Sequence, residues 1–168
     1  MTSSLVKSLE STFKGVAVEA SEDDRVFVLA PKDSILAVLS YLKENGLDHL
    51  ALISCVDRQQ RGRLELVYIL SCYLRSNTEY GPEQKLHILL KTEISRDNPE
   101  TQSAIGVFAN AEPYEREIHE LFGVHFAGHP RLIPLFLERE YEIPPFRKDF
   151  DTREYVAEIF DAIPPVDK

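Results

Sequence analysis

The sequence predicts an α+β fold in two layers, with helices on a mixed or mostly antiparallel sheet of about five strands. Apolar residues make up 43% of the 168 residues, which is enough for one hydrophobic core. Helical and strand-like spacings follow one another in the order α-β-β-α-β-β-β. Long apolar strands that are adjacent in sequence favour antiparallel neighbours over a doubly wound sheet.

Hydrophobic spacing and turn residues give the bounds of the first seven elements. The first helix carries apolar residues on one face and ends at a glycine, and the second ends at Asn45-Gly46. The strands are apolar or alternating runs between polar turns. The predicted elements are a helix ending at Gly15, strands Val16–Ala20 and Arg25–Ala30, a helix opened by Pro31–Ser34, and strands Leu50–Asp57, Leu64–Tyr73 and Leu86–Ile94.

The C-terminal part has a different character. Thr101–Phe108 predicts a short helix, and Pro113 suits the first turn of a longer one because its missing N–H costs nothing there. Gly123 is expected to end that helix. Six of the ten prolines follow Val124, which predicts short helices and an extended arm. We therefore expect an α+β domain at 1–123 and an arm at 124–168. The predicted buried stripe of the longer helix is Tyr114, Ile118, Leu121 and Phe122.

Charge and hydropathy exclude several function classes. The formal net charge of −9 argues against a general affinity for nucleic acid, which needs clustered cations to neutralise phosphate. No apolar run approaches the ~20 residues of a membrane span, and Met1–Lys14 does not resemble a signal peptide. We expect a cytosolic protein that reaches a membrane only through a partner. Cys55 and Cys72 are expected to be buried free thiols, since two cysteines cannot supply the usual four thiolates of an iron–sulfur cluster.

Three histidines suggest a metal site. His119, His125 and His129 fall within eleven residues, beside several carboxylates. A helical zinc-protease motif needs a second histidine four residues after the first, and Gly123 occupies that position. We expect hydrogen-bonded structural histidines, and a stand-alone histidine metalloenzyme is the alternative.

Two charged runs are the other candidates. Glu115-Arg116-Glu117 fans out around a helix, and its two acids are expected in the first turn, where the helix dipole favours them. In Arg147-Lys148-Asp149, the flanking aromatic residues Phe146 and Phe150 are expected to anchor the arm. Arg147 is expected to bind a carboxylate in bidentate fashion, and that carboxylate is Glu115, Glu117 or one on another chain.

Taken as a pair, the two runs resemble the two signatures of the C subunit of NADH–quinone oxidoreductase, the 30 kDa subunit of complex I. The first is Tyr114–Val124, followed by Phe126, Gly128-His129-Pro130 and Leu132, and the second is Pro145–Phe150. Both stand in the family's order. The resemblance marks twelve residues as signature or partner-interface positions: Glu115, Arg116, Glu117, His119, Phe122, Gly123, His129, Pro130, Arg147, Lys148, Asp149 and Phe150.

This resemblance implies a non-catalytic subunit of the peripheral arm of a complex I-like enzyme, on the cytoplasmic side of the membrane. It implies that the chain packs against the large subunit and a neighbouring iron–sulfur subunit through its C-terminal arm. It also implies that this chain holds no cofactor or metal. NADH, quinone and iron–sulfur clusters, or a nickel–iron centre, would then belong to partner subunits.

Some positions depart from the family pattern. Tyr114 stands where the family commonly has Trp, and Ile143-Pro144 stands where it often has Gly-His. The form Glu115–His119 is more similar to the related subunits of membrane-bound energy-converting hydrogenases and formate hydrogenlyases. The sequence is therefore compatible with a subunit of a quinone-reducing complex and with a subunit of a hydrogenase-type complex.

Overall fold

A five-stranded mixed sheet forms the centre of the fold. The structure is a computed structural model that describes residues 2–21, 25–72, 86–137, 141 and 143–159. The strand order is β1-β2-β5-β4-β3, and every neighbouring pair is antiparallel except the parallel pair β2–β5. The predicted α+β class and the order α-β-β-α-β-β-β are confirmed. The strands are Ala17–Ser21 (β1), Arg25–Leu29 (β2), His49–Arg58 (β3), Arg63–Ser71 (β4) and His87–Ser95 (β5).

Four α-helices and a small second sheet complete the described architecture. The helices are Thr2–Thr12 (α1), Ile35–Glu44 (α2), Ala111–Phe122 (α3) and Thr152–Ile159 (α4). Glu100–Gln102 (β6) and His125–Ala127 (β7) pair in parallel. The helix predicted at Thr101–Phe108 is therefore wrong, because its first residues form a strand. Tyr73, predicted to end a strand, and the last residues of the predicted arm, 160–168, lie outside the described residues.

The core lies between one face of the main sheet and the helices. Successive side chains of a strand point to opposite faces, so every second residue of β4 enters the core. Tyr68 lies at the centre of this face, fully buried, opposite Ile53 on β3 and Leu90 on β5. The fully buried apolar residues that line this core from β4 and from helices α1, α2 and α3 include Leu64, Leu66, Tyr68, Leu70, Leu9, Ile35, Val38, Leu39, Leu42 and Ala111.

Helix α3 lies against the edge strand β3, which positions the signature residues. The Asn110 side-chain amide donates to the Leu50 carbonyl at 2.7 Å, and the Tyr114 hydroxyl donates to the Ala51 carbonyl at 2.9 Å. These bonds satisfy carbonyls beside an irregularity in the β3–β4 pairing, where an edge strand would otherwise expose them. The buried stripe of α3 is Ala111, Glu115 and Ile118, so the predicted stripe is right only at Ile118.

The two thiols differ in burial. Cys55 is buried and Cys72 is half-buried, so the prediction of two buried thiols holds only for Cys55. Neither cysteine forms a disulfide. Burial, with a smaller contribution from Asp57, raises the pKa of the Cys55 thiol to about 12. Cys55 therefore behaves as a small apolar core residue.

None of the helices in the described ranges combines the length and the apolar character that crossing a bilayer requires.

Candidate functional site

Glu115, the first acid of the signature, is a fully buried carboxyl. Its Oε2 accepts a hydrogen bond from the Ser103 hydroxyl, and its Oε1 accepts one from the Ala104 amide, both at 2.6 Å. Burial raises the pKa of Glu115 to about 7, although these two bonds oppose the rise. The expectation that Glu115 and Glu117 lie in the first helical turn is wrong, since α3 begins at Ala111 and its first-turn acid is Glu112.

Arg116 and Glu120 hold the arm by its backbone. Arg116 donates from Nε to the carbonyl of Ile133 and from Nη2 to the carbonyl of Pro134, both at 3.0 Å. Glu120 accepts from the amides of the next three residues, 135–137. The two side chains lie four residues apart, on one helical face. Sequence reasoning named Arg116 but missed Glu120, and this i,i+4 spacing was the available signal.

A second anchor joins the end of the sheet to the arm. Arg96 forms a bidentate pair with Asp57, with Nε–Oδ1 and Nη2–Oδ2 distances of 3.0 and 3.1 Å. Its Nη2 also donates to Asp149 at 2.6 Å. The amide of Lys148 donates to Asp57 Oδ2 at 2.9 Å. The signature run thus meets two residues that sequence reasoning missed, both at strand ends: Asp57 near the end of β3 and Arg96 just after β5.

The pKa values of these groups reflect one shared network. Hydrogen bonds to Asp57 and Asp149 raise the pKa of Arg96 further above its usual range. The Arg96 hydrogen bond lowers the pKa of Asp149. Burial alone would raise the pKa of Asp57, but the bonds from Arg96 and the Lys148 amide outweigh burial and lower it. Both carboxylates are therefore ionised at neutral pH, and the guanidinium between them stays charged.

Arg147 makes a contact with the backbone of α3 that the sequence did not predict. Its Nε donates to the Phe122 carbonyl at 2.8 Å, so the side chain caps the C-terminal end of α3. The predicted pairing of Arg147 with Glu115 is wrong, because Glu115 is buried against Ser103 and Ala104. The bidentate pairing belongs to Arg96.

The predicted helix stop at Gly123 is confirmed. Its φ of +74° lies in the left-handed region, which favours glycine. A Cβ at this position would stand 2.9 Å from Pro144 Cγ. The arm therefore approaches the end of α3 as closely as a glycine allows.

The aromatic residues of the second signature divide into two groups. Phe150 packs with Tyr141 and Tyr155, at ring-centroid distances of 5.9 and 5.6 Å. Phe146 lies edge-on to Phe122 at 5.9 Å but remains 60% exposed. Phe150 thus anchors the arm to its own following helix, whereas Phe146 leaves most of its surface to the solvent.

The three histidines do not converge. Nδ1 of His119 lies 2.9 Å from the Val124 carbonyl, and Nε2 of His129 lies 3.3 Å from the Glu112 carbonyl. His125 is exposed on β7. Across the described ranges, no group of three or more His, Cys, Asp or Glu side chains could hold a metal ion. The remaining signature residues are the half-buried Glu117 and the exposed Pro130.

Four large apolar side chains of the arm are exposed, and we name them together the arm face. Of the five large hydrophobic residues that are clearly exposed in the described part of the chain, only Leu52 lies elsewhere. The amide of Phe146 donates to the Leu121 carbonyl at 3.0 Å and the amide of Phe136 donates to Glu120 at 3.1 Å, so both phenylalanines lie near the C-terminal half of α3. Its members are Ile133 (41% exposed), Phe136 (69%), Ile143 (41%) and Phe146 (60%).

The two signatures thus meet in one α+β fold, because the amide of Phe146 and the side chain of Arg147 donate to carbonyls at the end of α3. The chain belongs to the family described as "Respiratory-chain NADH dehydrogenase, 30 Kd subunit", whose model matches residues 28–156. The match spans most of the sheet and both signatures, so the resemblance inferred from the sequence is confirmed. Members of this family are subunits of multisubunit, membrane-bound respiratory complexes.

Two curated relatives and one solved structure illustrate the range of the family. The C subunit of the F(420)H(2) dehydrogenase of Methanosarcina mazei is 35% identical over 151 residues, covering 88% of this chain and 90% of the relative. The C subunit of the NADH-quinone oxidoreductase of Rhizobium rhizogenes is 30% identical over 154 residues, covering 88% and 72%. A chain of the membrane-bound sulfane sulfur reductase, an archaeal respiratory membrane complex, is 26% identical with a TM-score of 0.83, covering 99% and 95%.

Proposed function

We propose that this chain is a non-catalytic subunit of the peripheral arm of a membrane-bound respiratory complex, docked through the arm face onto a larger subunit. Its role is to support that subunit in electron transfer coupled to ion translocation. The observation that carries the proposal is the arm face itself, an apolar surface on a segment that two polar anchors hold in place.

The arm face has the physical character of an interface. Exposed aromatic side chains contribute little to the stability of the fold, whereas aromatic anchors dominate the energetics of protein interfaces. Phe136 and Phe146 supply two such anchors. The hydrogen bonds that hold the backbone of this segment reduce the conformational entropy that would be lost on binding a partner. An apolar surface on a fixed backbone therefore supports docking to another protein.

The redox chemistry is assigned to partner subunits. An iron–sulfur cluster usually takes four thiolates, whereas this chain has two cysteines, one of them in the core. Cys55 is a poor ligand on chemical grounds, because its thiolate is strongly disfavoured at neutral pH. In this proposal NADH, quinone and iron–sulfur clusters, or a nickel–iron centre, belong to the large subunit and its iron–sulfur neighbour. The chain would reach the membrane from the cytoplasmic side, through the complex.

The electron donor and acceptor follow from which complex contains the chain. The relatives named for NADH–quinone oxidoreductase and for F(420)H(2) dehydrogenase favour a complex that oxidises a soluble hydride donor. A second candidate is a membrane-bound hydrogenase or formate hydrogenlyase, and the form of the run Glu115–His119 favours it. The fold likeness to a chain of the sulfane sulfur reductase supports membership of a membrane-bound respiratory complex in either case. Both candidates share the accessory role.

Affinity purification of the tagged chain from its native cell in mild detergent tests the proposal. We expect a large nickel–iron-type or quinone-reducing subunit to co-purify, and the other chains will distinguish the two candidates. The double variant Phe136→Ala/Phe146→Ala should fold normally and recover much less of that subunit. Recovery of the tagged chain alone, in a preparation that keeps other membrane complexes intact, would refute the accessory role.

A further inference from the structure

Five consecutive residues of the arm, 133–137, have their backbone held by only two side chains of α3. Arg116 takes the carbonyls of Ile133 and Pro134, and Glu120 takes the three amides that follow. Donors and acceptors are matched, since the guanidinium donates to two carbonyls of the arm and the carboxylate accepts from three amides of the arm. We name this arrangement the backbone clamp.

The clamp is itself supported from within α3. Arg116 Nη1 lies 3.3 Å from Glu112 Oε1, and the Arg116 side chain is only 13% exposed. Its two bonds to the arm are therefore partly shielded from water, which strengthens them. The arm amides donate to the charged carboxylate of Glu120, and hydrogen bonds to a charged acceptor are stronger than neutral ones. Arg116 is thus held by contacts on the helix and on the arm, and Glu120 by its bonds to three amides of the arm.

Phe136 is the middle one of the three residues that Glu120 binds, and its side chain contributes little to the fold. Phe136 donates its amide to both oxygens of Glu120 at 3.1 Å, yet its side chain is 69% exposed. Burying the phenyl ring would stabilise the fold more than leaving it exposed does. The arrangement fixes the main chain and leaves the ring pointing to solvent, which is how a preorganised binding surface is built.

We propose that Arg116 and Glu120 act as positioning residues that preorganise the Phe136 part of the arm face for docking to the larger subunit. This inference rests on the proposed function and adds its mechanism. The partner surface that fits is an apolar pocket able to take one aromatic side chain, with no demand for backbone hydrogen bonds from residues 133–137. The clamp has already satisfied those backbone groups.

Backbone hydrogen exchange in the full chain, without any partner, tests the clamp directly. In Glu120→Gln and Glu120→Ala we expect the amides of 135–137 to exchange at least about tenfold faster, the loss of roughly one charge-assisted hydrogen bond. The amides of α3 and the sheet should be unchanged. Glu44→Gln removes the same charge from an exposed helical position and should leave 135–137 as in the wild type. Unchanged protection of 135–137 in both Glu120 variants would overturn the inference.

Assembly then separates preorganisation from a merely structural role. We expect Glu120→Gln and Phe136→Ala each to lower recovery of the larger subunit about tenfold or more. Because the clamp acts through Phe136, the effect of Glu120→Gln should shrink in the Phe136→Ala background. Fully additive losses, or a Glu120→Gln variant that assembles like the wild type, would overturn it. A wrong accessory role gives another outcome. The wild-type chain then recovers no larger subunit, although the Glu120 variants still show faster hydrogen exchange at 135–137.

Discussion

The buried carboxyl of Glu115 should make the stability of this chain depend on pH near neutrality. Burial raises its pKa from 4.5 to about 7, against the opposing bonds from Ser103 and Ala104. Because the pKa is raised in the folded chain, the protonated carboxyl contributes to the free energy of unfolding. This contribution is fully present below the pKa of the carboxyl in the unfolded chain. It is lost as the pH rises through the folded value. At about 1.4 kcal/mol for each pKa unit, the loss between pH 4.5 and pH 8 is about 3 kcal/mol.

Glu115→Gln removes the titration and keeps the shape of the side chain. The amide can still accept from the Ala104 N–H and donate to the Ser103 hydroxyl. We expect the two proteins to have similar free energies of unfolding near pH 4.5. At pH 8 the variant should be more stable by about 2–3 kcal/mol, because no charge needs to be buried.

Urea unfolding of both proteins at several pH values from 4.5 to 8 measures this effect. Because the stability of the wild-type chain can depend on pH through other groups as well, only the difference between the two proteins reports on Glu115. A difference that grows with pH and levels off above pH 7 is the expected result. A difference that is constant across the range would refute the reasoning, and so would a wild-type chain that is the more stable protein at pH 8.

The remaining predictions concern the anchors and the core thiol. Arg96→Lys keeps the charge but loses the bidentate geometry, so unfolding by urea should show a loss of about 1–3 kcal/mol, against little change for the exposed Arg61→Lys. Equal losses would count against the Arg96 anchor. Gly123→Ala should cost about 1–3 kcal/mol in the same assay, since its φ is +74° and Pro144 leaves no room; a neutral result would contradict this. Cys55 should resist iodoacetamide at pH 8 until the chain unfolds, and rapid labelling detected by mass spectrometry would show that the thiol is accessible in the folded chain.

Local signals predicted most of the fold. Strand β3 was expected at Leu50–Asp57 and forms at His49–Arg58, because alternation and turn residues act within a few positions. Gly123 was recognised as a helix stop because a left-handed residue commonly follows a helix. Signals of this kind depend on the neighbouring sequence alone, which is why they carry over directly to the structure.

The failures arose where partners are distant in the chain. Thr101 looked helical within an eight-residue run, but its strand partner is Phe126, which no local pattern reveals. The spacing of Ala111, Glu115 and Ile118 places them on one helical face, which indicates that Glu115 is buried. Buried carboxylates are rare, so the sequence pattern alone does not favour this interpretation.

The partner of an arginine is equally hard to assign from sequence. Arg147 is expected to pair with Glu115, Glu117 or a carboxylate on another chain, whereas the bidentate pair that the structure shows joins Arg96 to Asp57, across 39 positions of the chain. A long side chain can reach many carboxylates, and only the packing of β3, β5 and the arm selects one. The twelve signature positions could therefore be named, but their contacts could not.

Site-specific photo-crosslinking in the native cell is the most direct test of docking through the arm face. A photoreactive phenylalanine analogue at position 136 replaces a ring that is 69% exposed, and the same analogue at the exposed Lys7 of α1 serves as the control. We predict that position 136 cross-links to one larger subunit of a membrane-bound complex and that position 7 does not. Equal cross-linking from both positions, or none from position 136 while the complex is intact, would contradict docking through the arm face.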